Sequence, residues 1–174
     1  MAALPAGRAL DLGAGEGRNA AWLAARGWDV TAVDFSRAGL DRATEMARRA
    51  GAPITTVLAD LASYAPERRA YDLVIALYVQ VPAPVLATVL GHASDALAPG
   101  GTFLLIGHDL ANLEEGFGGP QDPAVLQTAA QVTSALSDQL VIERAEPVGR
   151  VVTTPEGERT AIDVIVRANR RAAA

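Results

Sequence analysis

The sequence predicts an α/β protein: a three-layer sandwich on a mainly parallel sheet, closed by an antiparallel hairpin. Three observations predict it. Short apolar runs alternate with helix-like segments along most of the chain. Runs such as "DLVIAL" are apolar throughout, as suits strands buried on both faces. The last two strand-like runs follow each other directly across "PEGE", which suits a hairpin. A chain of 174 residues is right for one domain, residues 1–174, and short for two.

Each element has its own signal. "RALDLGA" reads as a first buried strand, and residues 17–25 as a helix stopped by Gly27. "WDVTAVD" is a second strand. Ser36 is placed as the N-cap of a helix carrying Leu40, Ala43, Met46 or Ala47, and Ala50 on one face, stopped by Gly51 and Pro53. "ITTVLAD" and "YDLVIALY" are the third and fourth strands. Residues 84–97 put Leu86, Val89, Leu90 and Ala93 at helical spacing, and "APGG" ends that helix before a fifth strand, "TFLLIGH". Asp122 and Pro123 then suit an N-cap and first turn of a helix through Leu136. Strands "QLVIERAEPVGRVVTT" and "RTAIDVIVRAN" complete seven. Repeated strand–helix alternation implies right-handed crossovers.

Composition removes several functions. The net charge is −5 with dispersed arginines, which leaves no positive surface to bind nucleic acid. Cysteine is absent, so disulfides, thiol catalysis and cysteine metal sites are excluded. Two scattered histidines, His92 and His108, make no convincing metal site. No apolar run reaches the roughly 20 residues that span a bilayer. The opening "MAALPAGRAL" lacks a secretory pattern, so a cytoplasmic location is expected.

The stretch with the most chemistry is "LDLGAGEGRN". Gly13, Gly15 and Gly17 follow the first strand, at the carboxyl edge where ligands of such sheets sit. Glycines let backbone approach a ligand, although a tight turn without a ligand would use them too. The spacing is not the G-x-G-x-x-G of dinucleotide sites. With no lysine in the chain, the Walker phosphate loop is also excluded.

"LDLGAGEGRNA" resembles the first motif of class I S-adenosylmethionine-dependent methyltransferases. The longer run "LDLGAGEGRNAAWLAARGWDVTAVDFS" resembles the small bacterial branch related to tellurite-resistance methyltransferases. With "YDLVIALYV" and "LAPGGTFLLIGHD", the resemblance covers the chain from Arg8 onward. It implies a Rossmann-like fold, S-adenosylmethionine as donor and S-adenosylhomocysteine as product. It also implies Gly13, Ala14 and Gly15 under the methionine portion, and Asp11 orienting the loop or the donor ammonium. Ala76 and Leu77 would turn backbone carbonyls to that ammonium. Asp34, closing the second strand, would accept from the ribose hydroxyls or cap the next helix. Phe35 would cover an adenine face or belong to the core. Asp60 would accept from the adenine amino group, with Leu61 beside it, or cap a following helix. Arg18 would pair with the methionine carboxylate or stay solvated, and Asn19 sits at the same helix start.

On the acceptor side the candidates are Tyr78 and Gln80 after strand four, and His108 and Asp109 after strand five. His108 would serve as a base oriented by its neighbour, or be a surface histidine; Tyr78 would line the pocket or pack. The loop "ANLEEGFGGPQDP" would act as a lid or a connector, with Asn112, Glu114 and Phe117 as the residues to test. Related enzymes carry an N-terminal helix over the cofactor, whereas only about seven residues precede the first strand here. The site is then open, covered by a second chain in an oligomer, or the chain is shortened. The leading expectation is an enzyme methylating a small molecule, with no nucleic-acid, membrane or metal partner. A donor-binding module without efficient catalysis is the alternative, and an NAD-dependent oxidoreductase is disfavoured by the glycine spacing.

Overall fold

The computed structural model describes residues 4–172; Met1 to Ala3, part of the stretch read for a secretory signal, lie outside them. Among the described residues, β1 (Arg8–Leu12), β2 (Asp29–Asp34), β3 (Thr55–Leu58), β4 (Tyr71–Leu77) and β5 (Leu97–His108) pair in parallel. The long β6 (Leu140–Thr154) and β7 (Gly157–Arg170) form the hairpin, and β7 adds antiparallel to β5. The order across the sheet is β3-β2-β1-β4-β5-β7-β6. The winding reverses between β1 and β4, so a crevice opens at their carboxyl ends.

Alternation of side chains along each strand feeds two cores. Leu10, Leu12, Val74 and Phe103 share one with α3 (Ala83–Ala96) and α5 (Ala129–Ala135). Ala9, Val30, Leu73 and Ile75 share the other with Leu23 of α1 (Arg18–Ala24) and with Trp28. Helix α2 (Arg37–Arg49) begins as expected, with Ser36 Oγ accepting from the Gly39 N–H. No helix in the described residues is long and apolar enough to cross a membrane.

Three expectations are corrected. The β3–β4 crossover, residues 59–70, is a series of turns rather than a helix. Asp60 starts it: its carboxylate accepts from Ala62 N–H and its carbonyl from Ser63 and Tyr64 N–H. "APGG" is not a loop before β5 but a bulge within it, between the pairs Tyr71–Leu97 and Leu73–Thr102. The helix expected from Asp122 to Leu136 is two pieces, a 3-10 turn (Pro123–Val125) and α5. Between them Gln127 pairs its main chain with His108 and Leu110, and its amide donates to the Val79 carbonyl. Those bonds demand extended backbone, so the helix breaks. Thr128 restarts it through a capping box with Gln131.

Gly17 joins α1 to α2. Its φ is +74°, and a Cβ there would lie 2.3 Å from the Ala43 Cβ. Gly17→Ala should therefore cost about 2 kcal/mol in urea unfolding, combining left-handed backbone strain with overpacking. A loss below about 0.5 kcal/mol would mean the two helices are not pinned at this contact.

Candidate functional site

Asp11 sits at the bottom of the crevice and is 1% exposed. Its Oδ2 is buried with no hydrogen-bond partner among the described residues. Burial pushes its carboxyl up to about 7; the Ala20 backbone N–H pulls the other way, and the charge of Asp34 adds a further rise. Above Asp11 the chain turns through Gly13, Gly15 and Gly17, all at positive φ. A Cβ on Gly13 would strike Val79, whereas one on Gly15 would enter open space. The loop is thus closed toward the protein and open at its crest.

Asp34 ties that crest down. Its Oδ2 accepts from Gly15 N–H and its Oδ1 from Ser36 N–H, both at 2.8 Å. The helix cap itself is Ser36, so capping does not explain Asp34. Each carboxylate oxygen keeps a second lone pair for a ligand. Phe35, beside it, is 79% exposed, which rules out a core role. Asp60 is exposed and Leu61 buried on the next loop. Ala76 and Leu77 end β4 across the crevice. Ala14, Glu16, Arg18 and Asn19 line a shallow hollow on the outer side of the loop. Arg18 is solvent-exposed and 3.7 Å from Glu16, a surface pair of little energetic weight.

The carboxyl ends of β4 and β5, beside β7, hold a second polar cluster. Tyr78 has φ 56°, uncommon for a large side chain. Its hydroxyl donates to Asp163 Oδ2 at 2.7 Å, and its ring centroid lies 5.0 Å from that of His108. Arg150 Nε donates to the same Asp163 oxygen at 2.6 Å. Asp109 does not orient His108, contrary to expectation. Successive strand residues face opposite ways, and Asp109 Oδ1 accepts from Ala111 N–H instead. The carboxylate facing His108 is Asp163, with Oδ1 3.3 Å from Nδ1. Asp163 and Arg150 escaped the sequence reading; the available signal was one carboxylate inside the apolar "AIDVIV". Asn112 is buried and ties the loop to β7: its Oδ1 accepts from Ile162 N–H and its Nδ2 donates to the Gly118 carbonyl. That makes it an anchor, while Glu114 and Phe117 are exposed. Gln80 is exposed beyond Tyr78, and His92 is half-buried on α3.

Residues 9–101, just over half of the chain, match the methyltransferase domain family. This chain belongs to that family. A ubiquinone biosynthesis O-methyltransferase from Paramagnetospirillum magneticum is 32% identical over 95 residues, 55% of this chain and 38% of that one. Hemagglutinin 1 from Eikenella corrodens is 31% identical over 101 residues, 57% of this chain and 33% of that one. The chain thus aligns with only 33% and 38% of these curated relatives' lengths. Among solved structures, TehB from Haemophilus influenzae has a TM-score of 0.76 at 18% identity, covering 94% of this chain and 57% of that one. N-methyltransferase NodS from Bradyrhizobium japonicum WM9, in complex with S-adenosyl-L-homocysteine, has 0.71 at 17% identity, covering 94% and 78%. At such identities the structural likeness establishes the Rossmann-like methyltransferase fold.

The residues present suit the donor that the family's first motif implies. S-adenosylmethionine carries an ammonium, and Asp11 offers a buried carboxylate oxygen without a partner. It carries ribose hydroxyls, and Asp34 is an acceptor-only group at the end of β2. It has no phosphate, and the described loop presents no lysine.

Proposed function

We propose that this methyltransferase-family chain is an S-adenosylmethionine-dependent enzyme acting on a small molecule by in-line methyl transfer. The observation that carries this reading is Asp11. A buried carboxylate oxygen without a hydrogen-bond partner is costly, and it becomes favourable only when a cation arrives. The donor ammonium is such a cation, and the open crest at Gly15 leaves room above it.

In this reading Asp11 and the Ala76–Leu77 carbonyls hold the ammonium, and Gly13 to Gly15 underlie the methionine portion. Asp34 holds the ribose, Phe35 and Leu61 flank the adenine, and Asp60 faces its amino edge. The bound donor supplies an electrophilic methyl on a sulfonium with a good leaving group. The chain therefore needs mainly to align an acceptor and to exclude water. Tyr78 and His108 mark the acceptor end, and Val79, packed against Gly13, joins that end to the donor loop.

A small acceptor is supported by the net charge of −5, which does not suit a nucleic-acid acceptor. The names of the O- and N-methyltransferases among its relatives agree with it. Calorimetry tests the donor: S-adenosylmethionine and S-adenosylhomocysteine should bind, and NAD should not. Tight binding of NAD alone would end the assignment. A methyl-release screen over amines, hydroxyls, thiols, carboxylates and metalloid oxyanions tests the transfer. Donor binding with no turnover on any class would favour a binding module.

A further inference from the structure

We infer that Asp163 is a positioning residue that presents His108 as a general base, so that the acceptor loses a proton from a hydroxyl or an amine. The inference rests on the methyltransferase reading above but uses a different part of the chain. The β6–β7 ribbon carries it. Beta7 pairs with β5 up to His108 and Asp163, and the ribbon then runs on to Thr154 and Gly157. That is ~20 Å past the carboxyl end of β5, on the side of the donor loop. Asp163 and Arg150 stand where the ribbon leaves the sheet.

Three groups converge on Asp163. Tyr78 and Arg150 Nε donate to Oδ2, and Oδ1, which also accepts a long 3.5 Å bond from Arg150 Nη2, faces His108 Nδ1 at 3.3 Å. The contact lacks the alignment of a formed hydrogen bond, and Nδ1 is buried with no other partner among the described residues. A ring lone pair pointed at a carboxylate would be repelled, so Nδ1 carries the proton. The lone pair is then on Nε2, the nitrogen that can accept one. Such contacts are commonly slack before substrate binds and tighten in the complex.

The surroundings limit the charge. Arg150 balances Asp163, and the Tyr78 hydroxyl stays protonated because burial, then its bond to Asp163, raises its pKa. The loop contributes uncharged groups, Gly119 beside Nδ1 and the Asn112 amide. Asp109, next in the chain, is engaged by Ala111 N–H. In the transfer, an acceptor lone pair forms the new bond to the methyl carbon, and the carbon–sulfur pair leaves with sulfur. The acceptor proton passes to Nε2, giving a neutral thioether, a methylated neutral product and an imidazolium.

With two histidines in the chain, long-range proton–nitrogen NMR can read the tautomer of His108 directly. Wild type should show Nδ1 protonated and Nε2 bare at pH about 8.5, above the ordinary histidine range. Asp163→Asn should move the proton largely to Nε2, and Asp163→Glu should restore the Nδ1–H tautomer. A wild-type Nε2–H tautomer would overturn the inference, as would a tautomer that Asp163→Asn leaves unchanged. If Asp163→Asn does not fold, the wild-type tautomer decides alone. Donor affinity of Asp163→Asn, by calorimetry, should stay within about twofold, because Asp163 is outside the donor loop. Failure of wild type to bind donor would sink the methyltransferase reading and leave the tautomer result standing. Among acceptors found by methyl release, hydroxyls and amines should lose at least about tenfold in kcat in Asp163→Asn. Oxyanions, already deprotonated, should lose little; equal losses in both classes would refute the base.

Discussion

Asp11→Asn should lower S-adenosylmethionine affinity about a hundredfold at pH about 8 and yet stabilise the unliganded protein. Both effects follow from one buried oxygen. In the folded chain the Asp11 carboxyl is raised, chiefly by burial, from 3.8 to about 7. A group raised on folding favours the native state while it is protonated in both states. Its contribution is therefore fully present below pH about 4 and is lost as pH climbs to about 7. Above that it amounts to a standing cost of roughly 4 kcal/mol. Asparagine cannot ionise and removes the cost, less the about 1–3 kcal/mol for an unpaired buried amide. Urea unfolding should show a net gain of about 2 kcal/mol at pH about 8 that reverses to a loss of about 2 kcal/mol near pH 4. The donor ammonium needs the ionised carboxyl, so wild-type affinity should fall by up to about tenfold per pH unit below about 7. In Asp11→Asn that slope should vanish. A wild-type affinity flat from pH about 5.5 to 8 would remove Asp11 from the ammonium site.

Asp34→Ala should weaken donor binding by about fiftyfold and cost about 2 kcal/mol of stability. Two causes are mixed in that number. The variant loses any ribose contact, and it also releases the Gly15 and Ser36 N–H groups that shape the loop. A cycle separates them. Wild type should prefer S-adenosylhomocysteine over its 2′-deoxyribose analogue by about tenfold, and Asp34→Ala should bind the two alike. If both proteins discriminate equally, Asp34 shapes the loop and does not touch the ribose.

The residues proposed for the donor were legible together because they are neighbours in sequence or lie at the ends of successive strands. Asp11 precedes the glycines it lies beneath, Asp34 ends β2, and Asp60 lies two residues past β3. In a parallel sheet, strand ends share one edge, so local pattern reports spatial proximity. What the pattern could not carry was competition between local and distant bonds. Ala124 N–H does bond to Asp122 as expected, yet Gln127 trades helix for bonds to His108, Leu110 and Val79. The β3–β4 crossover likewise reverses on turns begun by Asp60 instead of forming a helix.

The acceptor half behaves differently. His108 and Tyr78 were visible at strand ends, but the carboxylate between them was not. Asp163 is 85 residues from Tyr78 in the chain, and the antiparallel return of β7 past β5 brings it there. By itself, the sequence determined the fold class and, through its lack of cysteine, the absence of thiol chemistry, and it pointed strand by strand to the residues proposed for the donor. Those depend on periodicity, spacing and residue type, which are local. The tertiary structure decided that Asp163, not adjacent Asp109, faces His108. Strand pleating turns neighbours to opposite faces, whereas cross-strand pairing sets distant residues side by side.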